Sequence, residues 1–163
     1  MKQDFKLNLA KSRLSVGYTK NNHVFSQFWE SNQTFNKANQ ARNDNGYGNF
    51  VLLDGPPYAN GNLHVGHALN KTFKDLVVKS RWFLGKEVDF RPGWDCHGLP
   101  LELAVEKKYG RQDVDKLKEG CKQLALDSVA GQMRGFKELG VLGEWENPYL
   151  TMSDDMVRND WAT

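Results

Sequence analysis

The sequence has 163 residues, with 22 Lys and Arg against 20 Asp and Glu, 39% hydrophobic residues and 15 glycines. That length suits one domain with a buried core. A net charge of +2 excludes a histone-like coat or an acidic disordered tail as the main identity.

No apolar run approaches the roughly 18–20 residues that a membrane-spanning helix needs. The first twenty residues are basic, but no continuous apolar segment follows them as in a secretory signal. Cys96 and Cys121 are too few for a disulfide scaffold and read as reduced thiols. The expectation is a cytoplasmic chain with no membrane partner.

Residues 1–49 are polar and rich in Asn and Gln, and form an N-terminal arm. One short helix is expected there, where Val24, Phe25, Phe28 and Trp29 share a face. The rest of the arm reads as surface chain and loop. From residue 50 the texture changes. Phe50, Val51, Leu52 and Leu53 make a short strand apolar on both faces, as in a buried parallel sheet. Val65, Ala68, Leu69, Thr72, Phe73, Leu76, Val77 and Ser80 then predict an amphipathic helix. Lys71, Lys74, Asp75 and Lys79 are assigned to its other faces, and Gly85 closes it.

Residues 87–91 alternate like a second strand and stop at Pro92-Gly93. Strand, helix, strand in that order argues for a parallel βαβ unit, the start of a doubly wound sheet. Such a half-sheet is expected to expose apolar edges. Two more helices are expected over 101–109 and 113–139, the second with Leu117, Cys121, Leu124, Ala125, Ser128, Val129, Gln132 and Phe136 on one stripe and weakened by Gly131 and Gly135. Asn147-Pro148 turns the chain, and Ser153 reads as the cap of a last helix whose Met156, Val157 and Trp161 form a packing face.

The chemistry-bearing stretch runs from Asp54 to His67 (DGPPYANGNLHVGH), between the first strand and the first strong helix. That junction is the ligand crevice of open α/β sheets, and the helix start offers free N–H groups to an anion. His64 and His67, three apart, can aim at one bound group, while Gly66 leaves room for a flat ring. A nucleoside triphosphate fits this pattern, although no P-loop signature is present. An H-x-x-H pair also fits a metal or two ordinary surface histidines. Cys96 beside His97 is poor chelate spacing, so zinc is not expected. A second stretch, Pro92 to Glu102 (PGWDCHGLPLE), stands at the carboxyl end of the next strand, facing the same crevice. Asp95 there suits a substrate ammonium and suits a structural turn equally well.

Together these segments resemble class I aminoacyl-tRNA synthetases, in their isoleucyl branch. His64-Val65-Gly66-His67 is similar to the first class motif, HIGH, and LGVLGEWENPYLTM downstream resembles the same branch. The likeness spans roughly residues 50–152, while the stretch before residue 46 lacks the proline- and arginine-containing pattern expected there. A smaller nucleotidyltransferase of the H-x-G-H type accounts for the first motif but not for Trp94 to Pro100.

The resemblance implies a Rossmann-like catalytic domain, of which residues 50–163 are the first half, ending before the editing insertion. It implies ATP-dependent activation of isoleucine and transfer to tRNA(Ile), with Mg²⁺ accompanying ATP. His64 and His67 would hold phosphate oxygens through the reaction, Gly66 would carry the adenine, and Asn60 and Gly61 would shape the loop beneath it. Pro57 and Tyr58 would wall the amino-acid pocket, and Asp95 would bind the α-ammonium with His97 nearby. The lysine-rich loop of the second half of that fold is absent from these 163 residues, so little activity is expected of this chain alone. The alternative is a self-standing remnant that binds ATP or a partner protein.

Overall fold

The computed structural model describes residues 22–43, 48–111 and 113–162. The basic start of the chain and Gly46 lie outside the described residues. In chain order the elements are α1 (Asn22–Ser31), α2 (Thr34–Asn43), β1 (Asn49–Val51), α3 (Val65–Phe83), β2 (Glu87–Asp89), β3 (Gly93–Trp94), α4 (Leu99–Tyr109), α5 (Val114–Glu138), β4 (Tyr149–Leu150) and α6 (Asp154–Ala162).

The central feature is the extended stretch that contains β2 and β3. On one side β1 pairs with β2 in parallel, Phe50 opposite Val88, and Tyr58 bridges Asp95 in the same sense. On the other side β4 pairs with β3 in parallel, Gly93 opposite Tyr149. Carbonyls of alternate residues on this second side are satisfied in turn. Val88 accepts from the Asn39 side chain (2.8 Å), Phe90 from Glu144 N–H (3.0 Å), Pro92 from Tyr149 N–H (2.9 Å) and Trp94 from Thr151 N–H (3.1 Å). Pro56, Pro57 and Pro92 carry no N–H, so the ladder breaks into short pieces instead of one continuous strand pair. The fold is thus the expected parallel α/β unit, with α3 joining β1 to β2.

Several expectations need correction. The arm holds a second helix, α2, which docks on the sheet and is not loop. Its Asn39 amide acts as a surrogate strand neighbour: Nδ2 donates to Val88 O, while Oδ1 accepts from Val88 N–H (3.0 Å) and from the Trp82 indole (2.8 Å). No hydrophobic periodicity marks such a side chain. Strand β1 is not buried on both faces, since Val51 and Leu53 are exposed. Side chains alternate across a strand, and only the face that bears Phe50 and Leu52 packs against the core.

Helix α3 turns a different face inward from the one its apolar pattern indicated. Val65, Leu69, Phe73 and Leu76 are exposed, whereas Lys71, Asp75, Val78 and Trp82 are buried. The charges are accommodated because each has a partner. Asp54 takes Lys71 and Lys74, and Asp75 takes Lys79 and accepts from Leu142 N–H (3.0 Å). A buried charge is tolerable only when paired in this way.

Helix α5 runs unbroken through both glycines. At Gly135 the Leu63 side chain occupies the space that a Cβ would take. Its Ala125, Ser128, Val129, Gln132 and Phe136 are buried, as the stripe indicated. Phe136 lies in the core with Trp94, Phe90, Val88 and Trp145, and each such side chain is worth about 1.5–3 kcal/mol when buried. Helix α6 begins at Asp154 as expected, but Val157 and Trp161 remain exposed. Among the described residues no helix is long and apolar enough to cross a membrane.

Candidate active site

The first signature starts at the buried carboxylate of Asp54. Its two oxygens receive the ammonium groups of Lys71 and Lys74 from α3, and Oδ2 also accepts the Gly93 N–H at 2.9 Å. One aspartate therefore ties the helix that carries the histidines to the strand that leads to Asp95. Lys71 is 1% exposed, with Phe136, Phe90 and Trp94 rings 5.3–6.0 Å from its Nζ. Burial pushes the Lys71 ammonium below the usual lysine value; Asp54 opposes that shift, and Lys74 adds to it. Neither Asp54 nor the lysines stood out in the sequence. The signal available was the spacing of Lys71, four residues after His67 and so on the same helical face.

His64 and His67 close the N-terminus of α3 as a capping box. The His64 Nδ1 accepts the Gly66 N–H at 3.1 Å, and the His67 Nδ1 accepts the His64 N–H at 3.4 Å. The rings stack with centroids 3.8 Å apart. Because Nδ1 is an acceptor in both rings, each neutral imidazole carries its proton on Nε2, the one ring atom left to donate to a ligand. Burial lowers the His67 pKa below its ordinary value, and His64 and Lys71 push it the same way. Gly66 has a local cause as well: a Cβ there would stand 2.9 Å from His64 Cε1.

The loop between β1 and α3 is held from two directions. Asp95 N–H donates to Pro57 O (2.8 Å), and Ala59 N–H donates to Asp95 O (2.7 Å). From α5, the buried Gln132 amide donates toward the carbonyls of Tyr58 (3.3 Å), Asn60 (3.4 Å) and Gly61 (3.2 Å). Its Oε1 accepts the Trp94 indole N–H at 3.0 Å. Gly61 has φ +65°, a conformation that favours glycine.

Asp95 stands at the tip of β3, half-buried. Its Oδ1 accepts from His97 N–H (3.2 Å) and from the Thr151 hydroxyl (3.3 Å), and Thr151 Oγ1 in turn accepts Cys96 N–H (2.8 Å). Both readings of Asp95 thus have substance: Oδ1 builds the turn, while Oδ2 stays uncommitted among the described residues. Burial raises the nearby Tyr149 phenol above its ordinary pKa, with the Asp54 and Asp95 charges adding to the shift.

Pro57, Tyr58 and Asp95 therefore meet through backbone pairing. Asn60 and Gly61 join them through Gln132. His67 reaches the group through the edge of Phe136 (6.4 Å), whose ring lies 6.3 Å from Trp94. His97 contributes its backbone to the Asp95 turn, and its side chain is exposed. A separate cleft between α1 and residues 141–146, walled by Trp29, Phe35 and Trp145, shares no residue with this site. No group of three or more metal-binding side chains occurs among the described residues.

Comparison with known proteins places the same stretch in context. The isoleucine--tRNA ligase of Thioalkalivibrio sulfidiphilus is 51% identical over 128 residues, covering 76% of this chain and 13% of the relative. That of Bordetella pertussis is 48% identical over 126 residues, 77% of this chain and 13% of the relative. The chain thus spans about 13% of the length of these curated relatives. Among solved structures, LeuRS of Agrobacterium radiobacter K84, in a ternary complex with tRNA and LeuAMS, superposes with a TM-score of 0.66 at 25% identity. The match covers 88% of this chain and 16% of that one. The family model for class I tRNA synthetases (I, L, M and V) matches residues 24–163, so it takes in α1 and α2, where the sequence signal was weak. The chain belongs to the class I tRNA synthetases, in the group of the isoleucyl, leucyl, methionyl and valyl enzymes.

Proposed function

We propose that this chain carries the part of an isoleucyl-tRNA synthetase active site that receives ATP and the amino acid, with residues 50–163 as its catalytic portion. The enzyme activates isoleucine with ATP and passes it to tRNA(Ile) in the cytoplasm. In activation an isoleucine carboxylate oxygen attacks the α-phosphorus in line. The bond from that phosphorus to the bridging oxygen breaks, and pyrophosphate leaves; Mg²⁺ bound with ATP would supply neutralisation of the phosphate charge. In transfer a ribose hydroxyl of tRNA attacks the activated carbonyl, and AMP departs.

No protein nucleophile is involved, so catalysis is positioning and stabilisation of phosphoryl charge. His64 and His67 donate from Nε2 to phosphate oxygens at the start of α3, where the positive end of the helix dipole also favours an anion. Gly66 leaves a flat approach for the adenine, with Asn60 and Gly61 beneath it. Asp95 Oδ2 takes the α-ammonium, His97 stands beside it, and Pro57 and Tyr58 wall the side-chain pocket. The carrying observation is the capping box, which occupies both Nδ1 atoms and leaves two stacked rings with the same donor free. Isoleucine in place of leucine or valine rests on the relatives' names and the quoted signatures.

The test is a hybrid in which this chain replaces the matching segment of the Thioalkalivibrio ligase. Isoleucine-dependent exchange of labelled pyrophosphate into ATP, lost in His64→Ala and His67→Ala hybrids, is the expected result. A folded hybrid that exchanges with leucine or valine in preference to isoleucine, or is indifferent to both histidine changes, overturns the reading.

A further inference from the structure

Gln132 is 1% exposed and lies in the middle of α5, far in sequence from either signature. Its amide has two protons and faces three carbonyls, those of Tyr58, Asn60 and Gly61, at 3.2–3.4 Å. Its oxygen holds the indole of Trp94, the residue before Asp95, at 3.0 Å. These loop carbonyls follow two prolines, where the strand ladder is interrupted, and a buried amide such as that of Gln132 is costly without acceptors. One side chain thus bonds to both halves of the site at once. Two neighbours on the same helix confirm that α5 is the floor under the loop. Gly135 makes way for Leu63, and Phe136 meets the edge of His67.

We propose that Gln132 is a positioning residue, which sets the ATP loop at residues 58–61 against Trp94 and Asp95. This rests on the functional reading above. Gln132 touches no substrate. It acts through the direction of three carbonyls and one indole, and fixes how far the adenine side of the site stands from the ammonium side. Only an amide serves both ends, since a carboxylate repels the carbonyls and an apolar side chain leaves both ends unbonded.

The experiment compares the full 163-residue chain with Gln132→Met, Gln132→Glu and Gln132→Asn. Two readouts are taken: hydrogen exchange at the amides of the loop and the Trp94 indole, and the calorimetric affinity for MgATP. In Gln132→Met both the indole and the loop amides should exchange at least tenfold faster. In Gln132→Glu, which keeps the acceptor, the indole should stay protected while the loop alone speeds up. MgATP affinity should fall about tenfold in both. The Asn variant, an amide one methylene short, should recover part of the affinity, which a merely space-filling role does not predict.

Loop and indole exchange unchanged in both Gln132→Met and Gln132→Glu overturns the proposal. So does faster loop exchange with MgATP affinity unaltered. If Gln132→Met fails to fold, the contrast between loop and indole in the Glu variant decides. If the unaltered chain itself binds no MgATP, the functional reading falls, and the exchange pattern still decides whether Gln132 sets the loop.

Discussion

His64 and His67 lie ring on ring, 3.8 Å between centroids, and each uses its Nδ1 on the backbone of the same helical turn. The pair that the sequence marks as ligand-binding is also the structural cap of its own helix. Function and stability are therefore coupled at these two positions. Replacing an N-cap residue by alanine costs about 0.5–2 kcal/mol, so His64→Ala should lower the unfolding free energy by that order in urea as well as weaken nucleotide binding.

The pH behaviour of His67 follows from its surroundings. Burial, His64 and Lys71 all hold its pKa below the ordinary 6.5. The unfolded chain therefore takes up this proton first as pH falls. The contribution to stability is complete above about pH 6.5 and is lost as pH falls through the lower folded value. An NMR titration should place the His67 midpoint below 6.5, and His64→Ala should move it upward by removing one repelling ring. A His67 midpoint at or above 6.5 in the unaltered chain contradicts this account.

Asp54 answers two ammonium groups in the interior, one of them almost wholly out of water. Asp54→Asn leaves Lys71 buried without its counter-charge, and breaking a buried pair from one side costs about 3–5 kcal/mol. Combining it with Lys71→Met removes the stranded charge. The double variant should be more stable than Asp54→Asn alone in urea unfolding, and an additive loss speaks against the pairing.

At Gly93 the Tyr149 ring lies directly against the strand, so that a Cβ has no room. Overpacking of this kind costs about 1–3 kcal/mol. Gly93→Ala should lower the melting temperature, whereas Gly131→Ala, where nothing lies within 4 Å of the added carbon, should raise it slightly through helix propensity. Differential scanning calorimetry of the two variants separates packing from backbone effects.

A polypeptide of these 163 residues should charge no tRNA on its own, because it matches 13% of the length of the isoleucine--tRNA ligases it resembles. The measurement is acid-precipitable isoleucyl-tRNA formed over many turnovers. Sustained charging by the purified chain runs against this expectation.

Much of the local architecture around the candidate residues is legible in the sequence, for physical reasons. The order of strand, glycine-rich loop and helix follows from periodicity, and the histidines sit where a helix begins. What escaped was held by side chains that break the usual rules. Lys71 and Asp75 point inward because Asp54 and Lys79 meet them, so the polar face of α3 became its buried face. Val65, Leu69 and Phe73 were assigned to the core by the same rule and are exposed. Helix α2 and β4 escaped because each gives the core only one or two apolar side chains, Phe35 and Ala38 from α2 and Leu150 from β4, too few to make a periodic pattern. Gln132 fell on the expected stripe, but nothing in its spacing announces three carbonyls waiting for it.

The Asn39 amide that closes the far side of β2 has a consequence for how the chain behaves in company. A single side chain there does the work of a whole strand, so its loss would open a gap in the lattice of main-chain bonds just one residue wide. That is too narrow for an intruding strand to enter easily, yet too dry for solvent to fill well. Guarding a sheet border with one amide thus limits promiscuous zippering between molecules.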